Sequence, residues 1–394
     1  MPGKKKVLFV NYSLHSGGIE KSLVTLLSIM DYEKYEVDLQ LFVNEGLFLD
    51  RVPKQVHLLP PLFPTEYKLN IRQAFPALLR KGHPLLAGCR CMVSIAGLKG
   101  TMGERLANMW NFERNFASKN RKEYDAAVAF MEGQPIYYID SKVKSKRKIG
   151  FIHGDYRAMG LSKIYDYDYF RKLDAVCTVS ESCKTALDET FPELRNKFHV
   201  IYNIISSGFM RSMADESADF GDSFEGIRIL SIARLSHQKG LDIALPAIAV
   251  LKKQGLKFKW YIIGVGPEEA ALKEMVKRLE IEDMVQFLGE RANPYPYLEA
   301  CDIYIQPSRF EGKSIAVDEA MVFCRPILLT DFSTAADQID SGKNGMIVPM
   351  TSEGITDGLR KFILHNELRS AFSDALAKCD YTNEDEIKKL YALL

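Results

Sequence analysis

Two glutamates stand eight positions apart in the segment Arg309-Phe310-Glu311-Gly312-Lys313-Ser314-Ile315-Ala316-Val317-Asp318-Glu319-Ala320. A short apolar run, Ile303 to Gln306, precedes it, and an apolar stretch with helical spacing follows. Glu311 is thus expected in a strand-to-helix turn, with Ser314 as N-cap and Glu319 about a turn and a half into the helix. A carboxylate in such a turn can grip sugar hydroxyls, and one on the helix can reach those of a ribose. The free amides of Lys313, Ser314 and Ile315, in the first turn, can take phosphate oxygens between them. Glu319 lies between Val317 and Ala320 in a mostly apolar helix, so an ordinary solvated position explains it poorly.

A second constellation is Ser231-Ile232-Ala233-Arg234-Leu235-Ser236-His237-Gln238-Lys239-Gly240. Two cations five residues apart follow a strand that ends at Ala233. A diphosphate leaving group gains negative charge as its bond to carbon breaks, and without a metal Arg and Lys must neutralise it. A solvated basic loop is the alternative. In Ser16-Gly17-Gly18-Ile19-Glu20 the glycines let backbone amides approach a phosphate at a helix start, or they simply make a tight turn. The GxGxxG of a dinucleotide fold is absent. His153, in Phe151-Ile152-His153-Gly154-Asp155, also follows a strand and is either a site residue or a structural loop histidine. Asp166-Tyr167-Asp168 has metal-binding form but sits in a Tyr-rich helical stretch, so no metal is assigned.

Strand-like and helix-like segments alternate along the chain, which predicts parallel sheets with crossover helices. Strands are expected at 6–11, 37–43, 126–130, 148–153, 175–180 and 199–203, then at 227–233, 259–264, 284–288, 303–306, 327–330 and 345–348. Helices are expected near 20–29, 240–254 and 268–280. Residues 206–226 are rich in Ser, Asp, Glu and Gly without apolar periodicity and read as a linker. The fold class is therefore α/β, two doubly wound domains in tandem: 1–205, and 227–375 after the linker, with 376–394 as a C-terminal helix returning to the first. Two such domains are expected to face a cleft with the carboxyl ends of their strands.

Composition agrees with this size and class. The 394 residues are 47% hydrophobic and 26% charged, as in a globular protein, and the net charge of +1 gives no ground for a nucleic-acid partner. No run of 18 apolar residues occurs, so no spanning helix is expected. Seven cysteines, only Cys89 and Cys91 being close in sequence, read as reduced thiols of a cytoplasmic protein.

Glu311 and Glu319 stand in the E-x7-E arrangement of retaining GT-B glycosyltransferases of family 4, which this chain resembles from its Gly-Gly loop to Gly342-Lys343-Asn344-Gly345. The resemblance implies a nucleotide-sugar donor, UDP-linked in preference to GDP-linked, and a saccharide or lipid-linked acceptor in cell-surface polysaccharide or glycolipid synthesis. It places Gly17 and Gly18 at the donor phosphates, Arg234 and Lys239 on the diphosphate, Glu311 on the donor sugar and Glu319 on the ribose. His153 falls near the donor sugar, and Arg291 where the main chain meets the nucleobase. No cofactor or metal is implied. Two features depart from the family: Glu311-Gly312-Lys313-Ser314 replaces E-G-F-G, and Tyr202-Asn203-Ile204 keeps only the Asn of P-N-G. Glu311 resembles a gripping residue and not a nucleophile, so front-face transfer is expected.

Residues 68–122 carry eleven Lys and Arg against Glu104 and Glu113, interspersed with apolar residues such as Leu86, Met109 and Trp110. Lys142 to Lys148 add a further basic cluster. Such a surface suits the anionic inner face of a membrane, with a solvated basic face as the alternative. Two rival classes remain: a nucleotide-sugar epimerase of similar shape, which needs further acid/base groups, and a non-catalytic nucleotide-sugar binder.

Overall fold

The computed structural model describes residues 3–15, 17–311 and 313–394; Ser16 of the glycine loop and Gly312 of the glutamate block lie outside them. Runs such as Val7-Leu8-Phe9-Val10 and Ile327-Leu328-Leu329 are apolar at every position and do not alternate. Strands covered by helices on both faces have this pattern.

Two compact units result, one reaching Ile204 and resuming at Glu384–Leu394, the other Ile205–Asn383. In the first, among the described residues, β1 (Lys5–Asn11), β2 (Tyr35–Leu41), β3 (His57–Leu58), β4 (Glu123–Ala129), β5 (Lys144–Ile152), β6 (Ala175–Thr178) and β7 (Phe198–Val200) form one sheet. Their order is β3-β2-β1-β4-β5-β6-β7, with every pairing parallel. The helices are α1 (Gly18–Ser28), α2 (Ile71–Arg80), α3 (Pro84–Ala96), α4 (Met102–Glu113), α5 (Gln134–Lys142), α6 (Lys163–Lys172) and α7 (Glu181–Thr190). In the second unit, α8 (Ser207–Ala214) precedes β8 (Ile227–Ile232), α9 (Leu241–Lys253), β9 (Phe258–Ile263), α10 (Glu269–Arg278) and β10 (Val285–Gly289). There follow α11 (Tyr295–Ala300), β11 (Ile303–Gln306), α12 (Ile315–Val322), β12 (Ile327–Thr330), α13 (Ala335–Gln338), β13 (Met346–Val348), α14 (Ser352–Leu364) and α15 (Asn366–Ala377). This sheet runs β10-β9-β8-β11-β12-β13, again parallel. The last helix, α16 (Glu386–Leu393), belongs to the first unit, where the Tyr391 ring stacks on Tyr35 at 4.8 Å.

Both sheets are doubly wound. Strand order reverses between β1 and β4 in one and between β8 and β11 in the other. Open α/β sheets bind ligands at the carboxyl ends of strands flanking such a reversal. The loops that matter are thus those after β1, β4 and their neighbour β5, and those after β8 and β11.

Three expectations are corrected here. Residues 206–226 are not a structureless linker: α8 is capped by the Ser206 hydroxyl, which accepts the Phe209 N–H at 3.3 Å, and it buries Met210, Met213 and Ala214. Its apolar spacing spans under two turns, too short to register against so polar a composition. The change of unit falls at Ile204/Ile205, and the return to the first unit comes after Asn383 instead of at 376. Trp110 is a core residue, 2% exposed, its ring 6.1 Å from Phe42 and 6.4 Å from Tyr138. It is not available to a membrane. The second unit's Trp260 is also buried, donating from Nε1 to Ser231 Oγ at 3.0 Å.

Candidate functional site

The loop after β8 is pressed against the loop after β11. Gly240 has φ +62°, and a Cβ there would fall 1.9 Å from the Pro307 carbonyl oxygen, so only glycine fits. Arg309, which the sequence reading passed over, stitches the two loops together. Its backbone N–H donates to Gln238 O at 2.7 Å, and its guanidinium holds both Asp242 oxygens, at 2.8 and 2.6 Å.

At this junction Lys239 Nζ donates to Glu311 Oε1 at 2.6 Å. The same oxygen accepts from Gln306 Nε2 at 2.7 Å, at the end of β11, and from Ser308 Oγ at 2.6 Å, two residues beyond it. The Glu311 backbone carbonyl takes the Thr334 hydroxyl at 3.1 Å. Glu311 is thus fixed by residues on three sides, its side chain 7% exposed, while Lys239 is the member that reaches solvent, at 18%. Gln306, Ser308 and Thr334 carry no motif of their own, which is why sequence reasoning missed them. Arg234, five positions before Lys239, is exposed and has no ion pair among the described residues. The loop therefore presents one cation engaged with Glu311 and one not engaged.

α12 is apolar and buried over most of its surface. Ser314 occupies the N-cap position as expected, but its side chain makes no capping bond. Its N–H is already taken by Gln338 Oε1 at 3.1 Å, which leaves Ile315 and Ala316 as the amides without an intrahelical partner. Glu319 is buried at 3% exposure and accepts from Tyr295 Oη at 3.2 Å, with burial raising the tyrosine well above its ordinary pKa. Lys313, in the position of the family's Phe, reaches Asp318 Oδ2 at 3.3 Å, and burial raises the Asp318 carboxyl above its ordinary value. Arg291 lies four positions before Tyr295, the tyrosine that reaches Glu319. It follows the edge strand β10, two strands from β8, and donates from Nε to Tyr297 Oη at 3.1 Å.

In the first unit, α1 begins at Gly18 after an N-cap glycine, Gly17, in extended conformation. The Glu20 carboxylate folds back over Gly17 so closely that a Cβ there would meet it at 2.2 Å. His153 follows β5 and is half-buried. Its Nε2–H donates to Phe130 O at 2.9 Å, since a carbonyl can only accept, and burial depresses its pKa to about 4. Its backbone N–H donates at 3.3 Å to Glu132, a buried carboxylate after β4 that the sequence reading overlooked. Burial raises Glu132, with the Glu20 charge pushing the same way, and burial likewise raises Glu20. The Asp166-Tyr167-Asp168 triplet does not present its two carboxylates together: Asp166 is buried between the Tyr137 and Tyr156 hydroxyls, each at 2.6 Å, whereas Asp168 is exposed beside Arg171.

The basic stretch 68–122 divides in two. Lys68, Lys81 and Lys122 pair with Glu45, Glu66 and Asp38 at 2.8, 2.6 and 3.0 Å, and Arg90 donates to Tyr67 O at 2.6 Å. Arg72, Arg80, Lys99, Arg105, Arg114, Lys119 and Arg121 are exposed. Of sixteen exposed large apolar side chains among the described residues, nine lie in 69–116. In the other basic cluster, Lys144 and Lys146 pair across strands with Glu123 and Asp125. Among the described residues no helix is long and apolar enough to cross a membrane.

The family model described as glycosyl transferases group 1 matches residues 216–378. The N-acetylgalactosamine-N,N'-diacetylbacillosaminyl-diphospho-undecaprenol 4-alpha-N-acetylgalactosaminyltransferase of Campylobacter jejuni is 25% identical over 365 residues, 92% of this chain and 91% of that one. The amylovoran biosynthesis glycosyltransferase AmsK of Erwinia amylovora is 34% identical over 146 residues, 35% of each chain. Among solved structures, HepE of Anabaena in complex with UDP and glucose shares the fold with a TM-score of 0.67, at 18% identity over 98% of both chains. The sequence match across residues 216–378 and the fold match across the whole chain support a glycosyltransferase of GT-B fold, its second unit being the part that matches the glycosyl transferases group 1 model.

Proposed function

We propose that the protein transfers a hexose from a nucleoside-diphosphate sugar, UDP-linked in preference to GDP-linked, to a saccharide or lipid-linked acceptor with retention of configuration. The observation that carries this reading is the loop junction in the second unit: Arg234 exposed and without an ion pair among the described residues, Lys239 on Glu311, and the open first turn of α12 after β11. In the reaction the bond from the anomeric carbon to the β-phosphate oxygen breaks, and a bond from that carbon to the acceptor oxygen forms on the same face. The acceptor proton passes to the departing phosphate oxygen, and the nucleoside diphosphate leaves. Arg234 and Lys239 balance the charge that develops, a role for which no metal is required. Glu311, fixed by Gln306 and Ser308, holds the sugar hydroxyls, and Glu319 the ribose. Neutral His153 and the carboxyls of Glu20 and Glu132 offer hydrogen bonds to neutral hydroxyls of the bound sugars.

The diphospho-undecaprenol in the Campylobacter relative's name, and UDP with glucose in the HepE complex, support these classes of acceptor and donor. A panel of UDP- and GDP-sugars, assayed for released nucleotide with a lipid-linked saccharide, tests the reading. The expected product keeps the donor's anomeric configuration by NMR, and an inverted anomeric proton would remove the assignment.

The reading extends to an anionic membrane surface. On α2, Arg72, Phe75 and Leu79 are exposed at i, i+3, i+7, opposite buried Ala74 and Leu78. On α3, Leu85, Met92 and Ile95 make a second such stripe, opposite Ala87 and Val93, and Leu98 and Lys99 follow in the turn. Apolar stripes flanked by cations suit an acidic bilayer interface, where each cation contributes about 1 kcal/mol. Co-sedimentation with vesicles containing phosphatidylglycerol, and its loss in Leu85→Glu/Ile95→Glu, is the expected result. Equal recovery with neutral vesicles would leave these helices as a solvated face.

A further inference from the structure

The turn that opens α12 is held from outside the helix. Ser314 supplies no side-chain cap, so the work falls to Gln338, the last residue of α13. Its Oε1 accepts the Ser314 N–H at 3.1 Å, and its Nε2 donates to the Ser314 carbonyl at 2.9 Å. The remaining Nε2 hydrogen goes to Asp318 Oδ1, also at 2.9 Å. One primary amide thus pairs with a single residue's backbone in both directions, as a neighbouring strand would, and both its hydrogens are used. All three residues are buried. Asp318 in turn holds Lys313 at 3.3 Å, so the same amide fixes both sides of the turn.

A tie of this kind is more than α12 needs in order to stay packed. Val317, Ala320, Met321 and Val322 already anchor the helix by burial. What Gln338 adds is direction. With the Ser314 peptide locked at both its N–H and its C=O, the Ile315 and Ala316 amides that follow have one orientation, and Glu319 is carried on the next turn of the same helix. We infer that Gln338 is a positioning residue for the donor: it aims the α12 amides at the diphosphate and keeps Lys313 and Glu319 in register with them. This rests on the reading of the α12 turn as the donor-phosphate site.

The test compares Gln338→Met, which keeps length and volume but no hydrogen bond, with a control that lowers the second unit's stability elsewhere. Phe372, buried on α15 against Phe362, serves for the control as Phe372→Leu or Phe372→Ala, whichever matches the loss in Tm. Gln338→Met is expected to raise the donor KM, and the Kd for UDP by calorimetry, about tenfold, the effect of stranding one buried amide. The acceptor KM should stay within twofold, and the Tm-matched control should move none of the three. Equal rises in donor KM for Gln338→Met and the control, or a donor KM within twofold of wild type in Gln338→Met, would overturn the inference. Wild-type protein that transfers sugar while binding UDP unchanged by Gln338→Met would overturn the positioning role alone. Wild-type protein that binds no nucleotide would remove the reading beneath it as well.

Discussion

The two units build their sheets on one plan, yet the groups gathered where strand order reverses are opposite in kind. After β1, β4 and β5 the first unit collects Glu20, Glu132 and His153, and burial drives each toward its neutral form. After β8 and β11 the second unit collects charge met by charge: Lys239 on Glu311 and Arg309 on Asp242. Removing water penalises a lone charge but leaves a matched, fully hydrogen-bonded pair intact. The difference teaches what each end of the fold is suited to. A diphosphate needs cations already in place, whereas the neutral hydroxyls of a sugar are better met by uncharged donors and acceptors.

The comparison breaks most sharply at the cations. Glu311→Ala should lower kcat about 10³-fold, and Arg234→Ala and Lys239→Ala about 10²-fold each, with the fold retained by circular dichroism. Activity should also persist in EDTA. Full loss on chelation, restored by Mn²⁺, would overturn the metal-free part of the proposal.

Acid separates the units next. Trp110 reports the first and Trp260 the second, so Trp260→Phe and Trp110→Phe give one-probe proteins. His153 is held near pKa 4 against an ordinary 6.5, so the unfolded chain takes up its proton first. The stabilisation from neutral His153 is full above about 6.5 and is lost as pH falls toward 4, by about 3 kcal/mol. Glu132 and Glu20, raised in the fold above the ordinary 4.5, act in the opposite sense, adding stability as pH falls back toward 4.5. His153→Gln should therefore flatten the loss of Trp110-monitored stability between pH 6.5 and 4, and an unchanged slope would count against a buried neutral imidazole.

The smallest effect belongs to the second unit. Asp222 straps the 215–226 segment to the sheet: it pairs with Lys259 at 2.6 Å and accepts the Tyr261 hydroxyl at 2.9 Å. Although burial opposes it, hydrogen bonds from Lys259 and Tyr261 hold its carboxyl at about 2, below the ordinary 3.8. This stabilisation is present above about 3.8 and is lost as pH falls toward 2. Asp222→Asn should cost about 1–2 kcal/mol at pH 7 and nothing at pH 2, read at Trp260 in urea. A cost that did not change with pH would show that packing, and not charge, makes the strap.

Much of this was legible in the chain itself. Ile303–Gln306 and Ile327–Thr330 form strands with the limits expected for them, because three buried apolar residues followed by a polar one and a turn admit little else. Glu311 and Glu319 fall on the turn and helix expected of them. What was not legible shares one cause: the partner lies far away in sequence. Gln338 is 24 positions from Ser314, and Glu132 is 21 from His153. Trp110, beside Met109 in a basic stretch, reads as an amphipathic surface residue until Phe42 and Tyr138 close around it.

The sequence by itself determined the alternation of strand and helix, the two units, and the residue types at each loop, since local periodicity and turn chemistry act over a few positions. Only the tertiary structure decided protonation and pairing. Burial and partners brought in from distant segments put Lys239 on Glu311 and left Arg234 without an ion pair among the described residues. They also enclosed Asp166 between two tyrosines and made His153 neutral. These outcomes depend on which groups lose water together, and that is fixed when the chain packs.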